Sequence, residues 1–275
     1  MKILYLLNES PFYMQMAWFS IYTLRKFNKD IKVEILYVCD NQKDNRYSPV
    51  NFDFGLDIFS KDTFVESLKK FDVEFNFVHD LDLKEEKGYH PIHRIAFQNV
   101  EDDQILLLDA DTFIFGDLTP FFNALNYHDL VADINEWGRW GNNFPYNGLD
   151  VTPFNSGVVL FNKGLLRDYG RQVYDLSMSV KGIDHPVGRW MADYEKFEGS
   201  NGKGGREEIA FTLFVLDNKI NFRHSTFREI QTTRRFTDCL IHHTQTPNYI
   251  RFWKKYFRSG DFKSNLKLKC VYLHK

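Results

Sequence analysis

The chain has 275 residues, 43% hydrophobic and 17% aromatic, with 35 lysines and arginines against 37 aspartates and glutamates for a net charge of −2. That supplies the core of one enzyme-sized domain and excludes a global field directed at nucleic acid or an anionic membrane. The opening apolar run breaks at Asn8, no later stretch approaches the roughly 20 apolar residues that span a bilayer, and Cys39, Cys239 and Cys270 form no closely spaced pair, so the sequence predicts a soluble cytoplasmic protein.

Ile3–Leu7 reads as a buried strand, Met14–Asn28 as a helix and Val33–Val38 as a second buried strand. This β-α-β order begins a doubly wound sheet, in which ligands bind beyond the carboxyl ends of the strands, so Asn8, Glu9 and Cys39–Asn41 line that edge. Phe64–Lys70 predicts a short helix, Val73–Val78 a strand, His90–Asn99 a helix and Gln104–Leu108 a strongly apolar strand. The parallel pattern continues through Leu130–Ala132 and Gly157–Phe161. Between those two runs a long connection from Asp133 to Phe154 carries Trp137, Trp140, Phe144 and Tyr146, a composition that suits either sugar stacking or a satellite core. The glycine-rich stretch Glu198–Arg206 is either a lid hinge or a linker.

The chemistry concentrates at Asp109-Ala110-Asp111. Side chains two apart on an extended segment share a side, so these carboxylates can share one hard cation. Asp80-Leu81-Asp82 has the same spacing behind a less apolar segment, and the run Ile105–Leu108 favours the Asp109 pair as the one ending a central strand. The plain alternative is that both aspartates cap the following turn.

Leu106–Thr112, Arg94 on the preceding helix, Asn155-Ser156-Gly157 opening a strand, Glu207-Glu208 on a later helix and His242-His243 after an apolar strand together resemble the GT-A glycosyltransferases. They are most similar to the glycogenin and lipopolysaccharide galactosyltransferase group, family eight. The resemblance runs from Met1 to about Phe257 and lies in the order and spacing of these segments. It implies an α/β GT-A fold: a single Rossmann-like, mostly parallel sheet flanked by helices, forming a catalytic domain over 1–248 with a C-terminal amphipathic helical segment over 249–275.

The resemblance also implies a metal-dependent transferase that moves a sugar, a hexose by likeness, from a nucleotide-diphosphate donor such as UDP to a glycan, lipid-linked or protein acceptor. Asp109 would approach the donor ribose and share the metal, Asp111 would bind it more fully, and His242, favoured over His243, would complete the site. The mixed carboxylate and imidazole set prefers manganese to the harder magnesium. Arg94 would reach the donor's sugar and phosphates, Asn155 the sugar hydroxyls, and Ser156 and Gly157 would let the backbone approach. Glu207 and Glu208 stand where the family has an Asp-Gln pair, and serve as general base for inversion or as charge stabiliser for retention, which the resemblance slightly favours. The family's phosphate-gripping glycine is missing after the histidines, leaving Lys254 or Lys255 to supply the charge.

The aromatic and basic segment from Tyr249 onward is either a helix docked on the core or a peripheral membrane contact. A nucleotidyltransferase should carry a glycine-rich basic loop after the first strand, and Asn8–Phe12 has neither glycine nor lysine. A non-catalytic carbohydrate-binding relative is the other alternative, and the retained carboxylates argue against it.

Overall fold

The structure, a computed structural model, describes residues 1–8, 10–38, 60–78, 100, 104–134, 144–162, 164–179, 205–232 and 239–243. The Asp80–Asp82 pair, the expected helix His90–Asn99 with Arg94, both tryptophans of the long connection, the stretch 198–204 and the C-terminal segment with Lys254 lie outside the described residues.

The chain opens with strand β1 (Lys2–Leu7), helix α1 (Pro11–Phe27) and strand β2 (Lys32–Val38), as the apolar runs predict. Helix α2 (Lys61–Leu68), strand β3 (Val73–Val78) and strand β4 (Gln104–Leu108) follow. Strand β5 (Thr112–Ile114), helix α3 (Thr119–Phe122), strand β6 (Leu130–Ile134), strands β7 (Phe144–Tyr146) and β8 (Leu149–Val151), and strand β9 (Phe154–Asn162) come next. Helices α4 (Leu165–Ser179) and α5 (Gly205–Asp217) precede the short strands β10 (Phe222–His224), β11 (Ile230–Thr232) and β12 (Ile241–His243).

Among the described residues, seven strands form the main sheet in the order β10-β6-β9-β4-β1-β2-β3. Its interior strands are buried on both faces. On β4, Leu106 and Leu108 join the core beneath α1, while Ile105 and Leu107 join the core beneath α4 and α5. That two-sided burial is why the strand reads as an unbroken aliphatic run.

Strand β9 corrects the expected parallel pattern, because it runs antiparallel to both β4 and β6 while the other pairings in this sheet are parallel. Strand β9 pairs with the strand that precedes it in the main sheet, β6, in the opposite direction, and an antiparallel neighbour does not require a crossover connection. Part of the long connection between β6 and β9 is the hairpin β7–β8, whose turn residues Asn147 and Gly148 have φ of 47° and 80°. Two successive positive φ values define the tight turn that Asn-Gly favours. Phe144 packs with Ile209 and Leu213, and the Tyr146 hydroxyl donates to Asp217 Oδ1, so these two aromatics form a satellite core against α5.

A second sheet, β11-β12-β5, sits beside the carboxyl end of β4. Helix α1 anchors it through buried polar side chains. Thr23 Oγ1 accepts from Ile114 N, and Asn28 donates to Gly116 O and accepts from Leu118 N. Among the described residues no helix is long and apolar enough to cross a membrane.

Candidate metal centre

Strand β4 ends by delivering Asp109 to the sheet edge, and the turn Ala110-Asp111 carries the chain into β5. From the other side β12 pairs antiparallel with β5, placing His243 opposite Thr112 and His242 opposite Phe113. This register decides which histidine meets the carboxylates. His243 Nε2 lies 3.2 Å from Asp111 Oδ1 and 3.7 Å from Asp109 Oδ2. The expectation of His242 is therefore corrected: on a strand only one of two successive side chains turns to a given side, and the pairing with β5 turns His243 to the aspartates.

Candidate ligand atoms of Asp109, Asp111 and His243 lie within 4.8 Å of one another. The side chains of Asp111 and His243 are 9% and 8% exposed, against 43% for Asp109. The cluster thus has two buried members and one solvent-facing carboxylate. Burial pushes the His243 imidazole down, but the charge and hydrogen bond of Asp111, with the charges of Asp109 and Glu208, more than reverse this and raise it to about 9. In the metal-free protein at neutral pH the histidine is a cation clamped by carboxylates. A divalent cation held between these side chains would take the place of that proton's charge, and two carboxylates with one imidazole are a donor set able to hold one. The donor set fits the group that the resemblance implies.

Strand β9 forms the back wall. Gly157 O accepts from Asp109 N at 2.7 Å, and Gly157 N donates to Asn155 Oδ1 at 2.9 Å. A Cβ at Gly157 would sit 2.3 Å from His243 Cε1 and 2.5 Å from Asp109 Oδ2, closer than real carbon contacts. The glycine is needed for space, since its backbone lies directly against both candidate ligands. Gly157→Ala is expected to weaken manganese binding at least tenfold, about the cost of disturbing a ligand's immediate support. It should also cost about 1–3 kcal/mol in chemical denaturation through overpacking. Wild-type affinity in a manganese titration would show that this close packing does not set the site.

The remaining expected residues fall into four groups. Asn155 and Ser156 are buried on β9, directly before Gly157, whose backbone meets Asp109 and His243. Glu208 is half-buried on α5, and its charge reaches His243. Asn8 is buried after β1, where its Oδ1 accepts from Ser10 N and shapes the entry to α1. Glu207 belongs to α5 by its backbone while its side chain lies outside the described residues, as do Arg94 and Lys254 entirely. Sequence reasoning did not reach the polar side chains of α1 that hold the Asp109–Ile114 segment. The one available signal was Thr112, three residues after Asp109, a spacing at which a hydroxyl bonds back to the backbone.

No protein-family model matches the sequence, and no curated protein matches it significantly. Among solved structures, it is similar to galactosyltransferase LgtC in complex with donor and acceptor sugar analogues, with a TM-score of 0.52 and 14% identity over 89% of this chain and 87% of that one. An active-site mutant of LgtC matches at TM-score 0.49 and 14% identity over the same shares. The glycosyltransferase GlyE of Streptococcus pneumoniae matches at 0.45 and 17% identity, over 82% of this chain and 45% of that one. The mostly parallel seven-stranded sheet between helices, with its reversed strand β9, is accordingly the GT-A fold of that galactosyltransferase.

Proposed function

We propose that this chain is a metal-dependent glycosyltransferase that moves a hexose from a nucleoside-diphosphate donor, UDP by resemblance, to a carbohydrate or glycoconjugate acceptor. The observation that carries this reading is the convergence of Asp109, Asp111 and His243 on one point at the carboxyl end of a central strand. Ligands bind at that edge in open α/β sheets. Support comes from the fold shared with an enzyme whose structure holds donor and acceptor sugar analogues.

In this reading Asp109, Asp111 and His243 hold a divalent cation, manganese by its donor set, which when bound supplies the positive charge that lets a diphosphate leave without a proton donor. Asp109, the most exposed of the three, faces the nucleoside. Asn155 Oδ1 accepts from Gly157 N, which orients the amide, and its nitrogen and the second Oδ1 lone pair remain for a sugar hydroxyl. Arg94 and Lys254 neutralise the phosphates, and Asn8 and Ser156 border the donor. Glu208, together with Glu207, approaches the transferred sugar, stabilising positive charge there in a retaining transfer, which the resemblance favours over inversion. The segment 249–275 either docks on the catalytic domain or meets a lipid-linked acceptor at a membrane surface.

The test is donor hydrolysis across the common nucleotide sugars with manganese and with chelator. Manganese-dependent release of a nucleoside diphosphate is expected. Exchange of pyrophosphate into the donor would replace this reading with a nucleotidyltransferase, and no turnover or binding of any donor would overturn it.

A further inference from the structure

Three hydroxyls from distant parts of the chain meet in fully buried space between β1, α1 and the Asp109–Asp111 turn. Tyr5 Oη lies 2.7 Å from Ser20 Oγ, Ser20 Oγ lies 2.8 Å from Thr112 Oγ1, and Thr112 Oγ1 donates to Asp109 O at 2.9 Å. All three side chains are inaccessible to solvent. Each hydroxyl has a single proton to donate, and a carbonyl oxygen only accepts. The Thr112 proton is used on Asp109, so Ser20 must donate to Thr112 and Tyr5 to Ser20. The chain of hydrogen bonds therefore has one direction, from phenol to carbonyl.

We propose that this chain positions the candidate cation site, with Ser20 and Thr112 as positioning residues that hold the backbone of Asp109. The proposal rests on reading Asp109, Asp111 and His243 as that site. Asp109 N already donates to Gly157 O, so both backbone polar groups of Asp109 are tied. One is held by β9 and the other, through Thr112 and Ser20, by α1 and β1. With the backbone fixed on both sides, the Asp109 carboxylate is left facing His243 Nε2 beside Asp111. Ser20 is itself anchored, because its own carbonyl accepts from Thr23 Oγ1, whose oxygen in turn accepts from Ile114 N in β5. Burial pushes the Tyr5 phenol well above its ordinary range, so it remains a donor at any pH the protein meets and the direction of the chain does not reverse. Aligned hydroxyls in a low-dielectric interior also strengthen one another.

The test compares full-length wild type, Thr112→Val and Thr112→Ser. Valine keeps the shape and removes the hydroxyl, whereas serine keeps the hydroxyl and removes a buried methyl. Manganese affinity is read by titration and the opening of the turn by hydrogen exchange of the Asp109 amide. Thr112→Val is expected to bind manganese about tenfold more weakly or worse, the usual cost of losing an outer-shell support, and to exchange the Asp109 amide faster. Thr112→Ser should stay close to wild type in both. Ser20→Ala, which interrupts the chain one step further away, should shift both readouts the same way by a smaller factor. Wild-type behaviour of both Thr112→Val and Ser20→Ala, or equal impairment of Thr112→Val and Thr112→Ser, would overturn the proposal. If wild type binds no manganese while exchange still separates valine from serine, the positioning of Asp109 stands and the cation reading falls.

Discussion

Asp111→Asn is expected to lower manganese affinity and metal-dependent turnover by at least a hundredfold, since removing a ligand charge should exceed the 10- to 100-fold, roughly, that outer-shell changes cost. The substitution is nearly isosteric, so the loss would report charge. Because Asp111 is buried and clamps His243, it should also lower the stability of the metal-free protein. The sign follows from the histidine. Its folded value of about 9 lies above the ordinary 6.5, so the stabilisation is complete below pH 6.5 and is lost as pH rises through 9. Near neutral pH the net effect is roughly 2–3 kcal/mol, because each tenfold gain in proton affinity on folding corresponds to about 1.4 kcal/mol and part of the gain is already lost by pH 7; Asp109 retains a share of it. Denaturation of wild type and Asp111→Asn without metal should therefore differ at pH 6 and converge above pH 9. A variant with wild-type metal affinity would remove Asp111 from the site.

His243→Ala should weaken manganese binding by about a hundredfold or more, while His242→Ala should leave the affinity unchanged and act on local packing. His242 is paired opposite Phe113 and is fully buried, so its loss belongs to the core. A proton and the cation compete for His243. Wild-type affinity should accordingly keep rising with pH beyond the ordinary histidine value and level off only near 9. Titration calorimetry at pH 7.5 in two buffers of different ionisation heat should show about one proton released per manganese bound. Equal affinities for wild type and both alanine variants would leave the two aspartates as the only protein ligands among the three.

The sequence by itself determined the start of the sheet and the place of the acidic pair. Unbroken aliphatic runs at Ile3–Leu7, Val33–Val38 and Ile105–Leu108 mark strands buried on both faces, and a D-x-D pair directly after such a run marks the sheet edge where ligands bind. Asn155-Ser156-Gly157 was likewise legible as a segment of interest, although not for the reason that makes Gly157 necessary.

Only the tertiary structure decided the rest, because each remaining feature depends on a partner far away in sequence. Two-sided burial gives β9 the same apolar pattern whichever way it runs, so its direction appears only in the pairing with β4 and β6. His242 and His243 are equivalent by periodicity, since period two separates them without saying which faces the aspartates, and the register of β12 on β5 makes that choice. Gly157 acquires its meaning from the approach of His243 across 86 residues of chain, a closeness that no local propensity encodes. Tyr5, Ser20 and Thr112 look in sequence like ordinary members of a strand, a helix and a turn. They become one hydrogen-bonded chain only when α1 packs over β1 and β5, because a buried hydroxyl must find a partner and the fold leaves each of them the next one in line.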